Sequence, residues 1–141
     1  MQLSGLRSPR ETIGGIVYLR RMLDKIRLHA AGELPADYQA NFGKGFDAMC
    51  CNFLKVSFDS VVARAREGGT DEQILEWCFA EGRKPTDEEI MIWNDCMSKR
   101  GWRDARSARI AELKKENGIP NRDDVQTFFD LIDVDEGRLI R

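Results

Sequence analysis

Residues 13 to 27, Ile13 to Arg27, read IGGIVYLRRMLDKIR: two adjacent glycines inside an apolar pattern of helical period, then one carboxylate among four cations. Just upstream, Ser8-Pro9-Arg10-Glu11 carries a helix-start signal. A capping serine accepts a bond from an unpaired amide, a proline at the first helical position loses no needed donor, and Glu11 reaches back in a capping box. The helix so opened is expected to run to Gly32, a good terminator, with Pro35 just beyond.

On that helix, at about 100° per residue, Ile16, Leu19, Met22, Leu23 and Ile26 share one arc, with Gly15 near its middle and His29 at its edge. A missing side chain at Gly15 would let a second helix approach closely, which offsets the roughly 1 kcal/mol cost of glycine in a helix. The opposite arc holds Arg20, Arg21, Asp24, Lys25 and Arg27, with Val17 and Leu28 among them. Asp24 is within helical reach of Arg20, Arg21 and Arg27. One carboxylate does not neutralise four cations, so the surplus is solvated, paired with distant acids, or left to hold an anion. A solvated, salt-bridged face is the commonest outcome.

Punctuation of the same kind recurs downstream. Thr70-Asp71-Glu72-Gln73 and Thr86-Asp87-Glu88-Glu89 each set acids in a first helical turn behind a threonine cap, and Gly82 and Gly101 make plausible stops. Between them and the first helix lie two short apolar segments, Phe46 to Leu54 and Phe58 to Arg66. A basic helix from about Asp104 to Asn117 follows, then a Gly118-Ile119-Pro120 break and a last helix from about Asp123 to Val134. No segment shows sustained alternation or an Asn-Gly hairpin signal. The expected fold is all-α, a single compact orthogonal bundle of about six helices. One ordered loop, Glu33 to Gly45, follows the first helix.

The 141 residues suffice to bury roughly two-thirds of the surface of the unfolded chain. With 42% apolar and 33% charged residues and a net charge of -2, the composition exerts no global pull toward nucleic acid or an anionic membrane. Cys50, Cys51, Cys78 and Cys96 form neither a C-x-x-C pair nor a disulfide framework, and read as buried thiols in a reducing compartment. The N-terminal residues lack the apolar core of a signal peptide, and no run reaches the roughly 18 apolar residues of a membrane span, so a cytoplasmic location is expected.

Several residues carry a family resemblance. Ser8-Pro9-Arg10, Ile13-Gly14-Gly15, Arg21-Met22-Leu23-Asp24-Lys25 with Arg27, Gly32 and Asp37-Tyr38 resemble the bacterial family catalogued as domain of unknown function 5069. Ile74-Leu75-Glu76-Trp77, the Trp93 segment and Phe128-Phe129-Asp130-Leu131-Ile132-Asp133 are similar to it too. The resemblance implies a small, soluble, bacterial domain with no assigned activity or cofactor, and it marks Arg10, Arg21, Asp24, Lys25 and Tyr38 as positions to test.

Other chemistries find little support. One histidine and scattered cysteines do not make a zinc site, and no metal or other cofactor is expected. His29 suits a packed, hydrogen-bonded ring better than a Cys-His nucleophilic pair. Asp133-Val134-Asp135-Glu136-Gly137 begins like a calcium loop, but lacks the ligands that would continue it, and reads as an acidic helix end with solvated side chains. Gly14-Gly15 lacks the strand and the Lys-Ser/Thr of a phosphate loop. Lys99 to Lys115 holds seven cations against two acids, with Trp102 available for stacking, whereas Asp123 to Glu136 holds six acids. Antiparallel packing of these two helices would satisfy both sets, which argues against nucleic-acid binding. Trp77 and Trp93 share wheels with Ile74, Cys78, Ile90 and Met97 and read as core.

The first functional expectation is a non-enzymatic interaction or ligand-binding domain for an anionic small molecule or protein partner. Arg10, Arg21 and Lys25 would contact the negative charge, Asp24 would orient the guanidinium groups, and Tyr38 would close over them. An enzyme using Asp24 or Lys25 for proton transfer beneath the Glu33 to Gly45 loop is the second, and it requires a perturbed pKa and a concave site. A homo-oligomer contact through Val17 and Leu28 is the third.

Overall fold

The computed structural model describes residues 5–139 and begins, where a helix was expected, with a β-hairpin. Strand β1 (Thr12–Ile13) pairs antiparallel with β2 (Ile16–Val17), in the register Thr12 to Val17 and Ile13 to Ile16. Gly14 and Gly15 form the two-residue turn, at φ +57° and +79°. Positive φ at both central residues defines the turn whose twist matches paired strands, and glycine adopts it at no steric cost. The glycines therefore reverse the chain rather than admit a helix: a Cβ on Gly15 would meet nothing within 4 Å. The close approach belongs to Gly14, whose Cβ would lie 2.5 Å from Leu75 Cδ2.

The Ser-Pro signal serves a turn as well as it would a helix. Ser8 Oγ accepts from the Arg10 amide at 3.2 Å, and the Ser8 carbonyl accepts from the Glu11 amide at 3.1 Å. Pro9 O then takes the Tyr18 amide at 2.9 Å, closing the base of the hairpin.

Among the described residues eight helices follow: α1 (Leu19–Ala30), α2 (Ala36–Gln39), α3 (Phe46–Leu54), α4 (Phe58–Arg66), α5 (Asp71–Glu81), α6 (Asp87–Lys99), α7 (Ser107–Glu116) and α8 (Phe128–Asp135). The fold is predominantly helical. Among the described residues no helix is long and apolar enough to cross a membrane. Helices α3 and α4 occupy the expected residues, and α5 and α6 start behind Thr70 and Thr86 with both capping boxes formed. The last helix starts later than expected, behind Thr127 with Asp130 completing its box.

Helix α6 secures the hairpin from outside. The Asn94 side chain accepts from the Val17 amide at 3.1 Å and donates to Gly15 O at 2.7 Å, while Trp93 Nε1 donates to Val17 O at 3.2 Å. A two-residue strand would otherwise present a bare edge to solvent. Ile13, Ile16 and Val17 then join Leu19, Met22, Leu23 and Ile26 of α1 in one core with Leu54, Val61, Ile74, Trp93, Met97 and Phe129. Val17, expected at a subunit contact, is 8% exposed inside this core. Cys50, Cys51 and Cys78 are buried as expected, but Cys96 is exposed.

Gly14→Ala meets both a positive φ and the Leu75 side chain, and is expected to cost about 2 kcal/mol or more; Gly15→Ala meets only the φ, and should cost about 1 kcal/mol. Urea unfolding of the two variants measures the difference, and equal losses would contradict the packing of Leu75 against the turn.

Candidate functional site

The cations of α1 do not form a solvated face. Arg21, Asp24 and Lys25 are 3%, 6% and 6% exposed, because the hairpin, the residues before it and the last helix all lie over them. Each charge has found a partner distant in sequence. Asp24 binds not Arg20, Arg21 or Arg27 but Arg7, through the Arg7 amide at 2.9 Å and its guanidinium at 2.6 Å. Arg27 and Arg7 share Asp71, each within 2.9 Å. Arg10 pairs with Asp130 and, at 3.3 Å, with Asp133.

Arg21 makes the most buried of these pairs. Its two terminal nitrogens donate to the two oxygens of Glu136 at 2.8 and 2.6 Å, and one of them also reaches Arg7 O at 3.1 Å. Glu136 accepts further bonds from Arg138 at 2.6 Å and from Tyr38 Oη at 2.8 Å. Burial alone would push the Glu136 carboxyl up, but the hydrogen bonds and charge of Arg21, with Arg138 and Tyr38, hold it below the usual glutamate value. Asp130, Asp133 and Glu136 are thus engaged by Arg10, Arg21 and Arg138, rather than by the basic helix α7 as expected. Asp133 and Glu136 are buried rather than solvated.

Beside this network lies a cavity of about 680 Å³, open to solvent, between α1, the loop carrying α2, α3, α7 and α8. Arg21, Lys25 and Tyr18 line its inner end, Tyr38 and Lys44 come from the loop, and Arg100, Arg106 and Arg109 from the region around α7. Phe46, Met49, Phe128 and Leu131 provide apolar wall. Six cations face the cavity against two carboxylates, Asp37 and Asp135. They differ in how far they are neutralised. Arg21 is matched by Glu136, and Arg109 by Glu112 at 2.9 Å. Lys44 and Arg106 are exposed and make no ion pair among the described residues, Arg106 lying 5.9 Å over the Phe128 ring.

At the inner end Tyr18, Lys25 and Asp47 form a compact triad. Tyr18 Oη donates to Asp47 Oδ1 at 2.6 Å, and Lys25 Nζ lies 3.0 Å from Tyr18 Oη and 2.9 Å from the same Asp47 oxygen. Asp47 Oδ2 takes the Gly43 amide at 2.9 Å, which ties the loop to the triad. Burial pushes the Tyr18 phenol well above its usual range, so it stays protonated; burial also lowers the Lys25 ammonium, although Asp47 opposes that shift. Tyr18 is the residue before α1, and its backbone holds φ +75° and ψ -33°. For an aromatic residue that conformation costs on the order of 1–3 kcal/mol and persists only where the surroundings enforce it. Here the hairpin and the Pro9 carbonyl fix it.

Of the residues expected to form a site, Arg21, Lys25 and Tyr38 come together at the cavity. Arg10 and Asp24 do not: both are engaged in ion pairs that anchor the N-terminal segment. His29 stacks on Phe42 with ring centroids 4.2 Å apart. Tyr18, Asp47 and Glu136 were not anticipated. Glycines before Tyr18 hid its position behind an apparent helix, and nothing in the local sequence shows that Asp47 or Glu136 is buried.

The chain belongs to the family described as Domain of unknown function (DUF5069), whose match spans residues 4–138. Comparison with curated proteins finds no match.

Removing Glu136 leaves Arg21 charged, buried and unpaired, so Glu136→Gln is expected to lower stability by roughly 3 kcal/mol. Asp71 also sits below its usual value: burial raises it, and the hydrogen bond and charge of Arg27, with Arg7, more than offset that. Carboxyls depressed in the folded state bind fewer protons there than when unfolded, so their stabilisation is fully present only above their unfolded values, from about pH 5, and is lost as pH falls through their depressed ones. Chemical unfolding from neutral to acid pH should show this decline, with a shallower slope in Glu136→Gln.

Proposed function

We infer that the cavity beside α1 binds a small anionic molecule bearing phosphate or carboxylate. The observation that carries this reading is a pair of exposed cations, Lys44 and Arg106, without ion pairs among the described residues, on a cavity whose other cations, Arg21, Lys25, Arg100 and Arg109, are matched by Glu136, Asp47, Asp104 and Glu112. Lys44 and Arg106, lacking ion pairs among the described residues, provide the attraction at the mouth, with Arg100 and Arg109 beside them. The volume of about 680 Å³ falls in the range of small-molecule sites, and the mixture of apolar wall with convergent polar groups is typical of them. A concave site of this size favours a small molecule over the surface of a protein partner.

The roles within the site differ from those suggested by residue type alone. Arg21 is neutralised by Glu136, so it shapes the inner wall and presents no surplus charge. Tyr38, held by Glu136 on the loop, forms part of the side wall. Arg10 and Asp24 take no part in binding and belong to the frame.

A thermal-shift panel of inorganic phosphate, nucleotides, phosphorylated sugars and dicarboxylates tests the reading, because a ligand that binds only the folded state raises Tm. Stabilisation by at least one phosphate or carboxylate class, weakened by salt, is expected. Arg106→Ala and Lys44→Ala should each reduce affinity about tenfold, the loss of one charge-assisted contact, without unfolding the chain. No stabilisation by any member of the panel at low salt would remove the proposal.

A further inference from the structure

We propose that Lys25 is a carbonyl-reactive amine, and that the cavity accepts an aldehyde or ketone carrying a phosphate or carboxylate, which forms an imine at Lys25 Nζ. The inference rests on the anion-binding reading and adds to it a reacting centre and a substrate class.

The geometry of the triad points this way. An ammonium has three N–H donors, and Lys25 directs one to Tyr18 Oη and one to Asp47 Oδ1. The third has no acceptor among the described residues, and Lys25 lines the cavity. Tyr18 Oη donates to Asp47, so both of its lone pairs are available, one to Lys25 and one to a second donor. Amine, phenol and carboxylate therefore meet within 3.0 Å of one another at the inner end of a cationic cavity. Lys25 and Asp47 pair directly, and a purely structural ion pair would need neither a phenol bonded to both members nor a strained backbone to place it. Tyr18 is held at φ +75°, and strained residues of this kind cluster where a side chain is positioned for chemistry. Burial, by lowering the Lys25 ammonium, further favours the neutral amine.

The reaction balances with these groups alone. Asp47 takes a proton from Nζ, and the freed amine attacks the carbonyl carbon, forming a C–N bond as the C=O π bond opens; a second Nζ proton passes to the carbonyl oxygen, which becomes a hydroxyl. Tyr18 relays the proton back, the C–O bond breaks, and water leaves. Overall, ammonium and carbonyl give a protonated imine and one water. There is no net oxidation and no other reactant. The cations at the mouth would hold the anionic end of the molecule, leaving its carbonyl toward Lys25.

Pyridoxal 5′-phosphate, which joins an aldehyde to a phosphate, is a suitable probe, with pyridoxine 5′-phosphate as its unreactive alcohol counterpart. The full chain is incubated with the aldehyde, reduced with borohydride, digested and mapped by mass spectrometry. Lys25 is expected to be labelled ahead of every other lysine, and the alcohol should raise Tm and slow the labelling. Tyr18→Phe keeps the ring but removes the proton relay; at saturating aldehyde it should slow adduct formation by a factor on the order of 10². Lys25→Arg keeps a cation opposite Asp47 and should bind the alcohol without forming an adduct. If the alcohol binds and no adduct forms at Lys25, or label concentrates on Lys44 or on surface lysines, the carbonyl chemistry is overturned and anion binding stands. If Tyr18→Phe labels at the rate of the unaltered chain, the assigned relay is wrong and the proposal falls with it. If neither compound binds while phosphates of the thermal-shift panel do, the substrate class is overturned. Failure of that whole panel removes both readings.

Discussion

Two side chains 115 positions apart, Arg21 and Glu136, meet through paired hydrogen bonds of 2.8 and 2.6 Å, with neither more than 3% exposed. Taking two such ions out of water costs several kcal/mol each, and their attraction repays this only if geometry is good and the remaining lone pairs are satisfied. Both conditions are met, since Arg138 and Tyr38 complete Glu136 and the Arg7 carbonyl engages Arg21. Much else depends on this contact. It fixes the end of α8 against α1, brings the segment before the hairpin down over α1, and holds the α2 loop by the Tyr38 hydroxyl. An apolar pair of the same volume would bury more favourably, but would bring none of these three together.

The cavity follows from the same arrangement. Burying Arg21 and Lys25 with their own acids uses up the charges nearest the core, so the inner end is polar but nearly neutral. Arg106 and Lys44 sit farther out, just before α7 and on the α2 loop, and make no ion pair among the described residues. The result is a gradient from unpaired charge at the mouth to a hydrogen-bonded triad at the inner end. Such a gradient orients a molecule with one anionic end, since reversing it would bury the anion beside Asp47 and Glu136 and leave the outer cations unsatisfied.

What could be read from the sequence was local. Thr70 with Gln73 and Thr86 with Glu89 satisfy amides three residues away, so those helix starts were legible, as were Phe46–Leu54 and Phe58–Arg66 from their apolar spacing. The hairpin was not, because Ser8-Pro9 suits the start of a turn as well as that of a helix, and Gly14-Gly15 favours a reversal only when strands pair beside it. Thr127 also caps with a box three residues long, but the helix was expected from about Asp123, in a stretch that forms no helix. The site was legible in part for a related reason. Arg21, Lys25 and Tyr38 stand out as charged or aromatic residues near one helix, but whether a cation is bare or matched depends on acids elsewhere in the chain, Asp47 for Lys25 and Glu136, 115 positions away, for Arg21.

The N-terminal segment carries a consequence for the order in which the molecule assembles. Arg7 finds Asp24 17 positions away, but Val17 needs Asn94, Arg21 needs Glu136 and Arg10 needs Asp130, at separations of 77, 115 and 120. On a ribosome, α1 emerges early, and Arg21, its most buried cation, is among the last to be matched. Until α8 has been synthesised, Arg21 and Arg10 must remain hydrated, which keeps α1 from settling into its final packing however favourable its apolar face. Helices α4, α5 and α6 carry their own side-chain caps, so their first turns can form locally while the beginning of the chain waits.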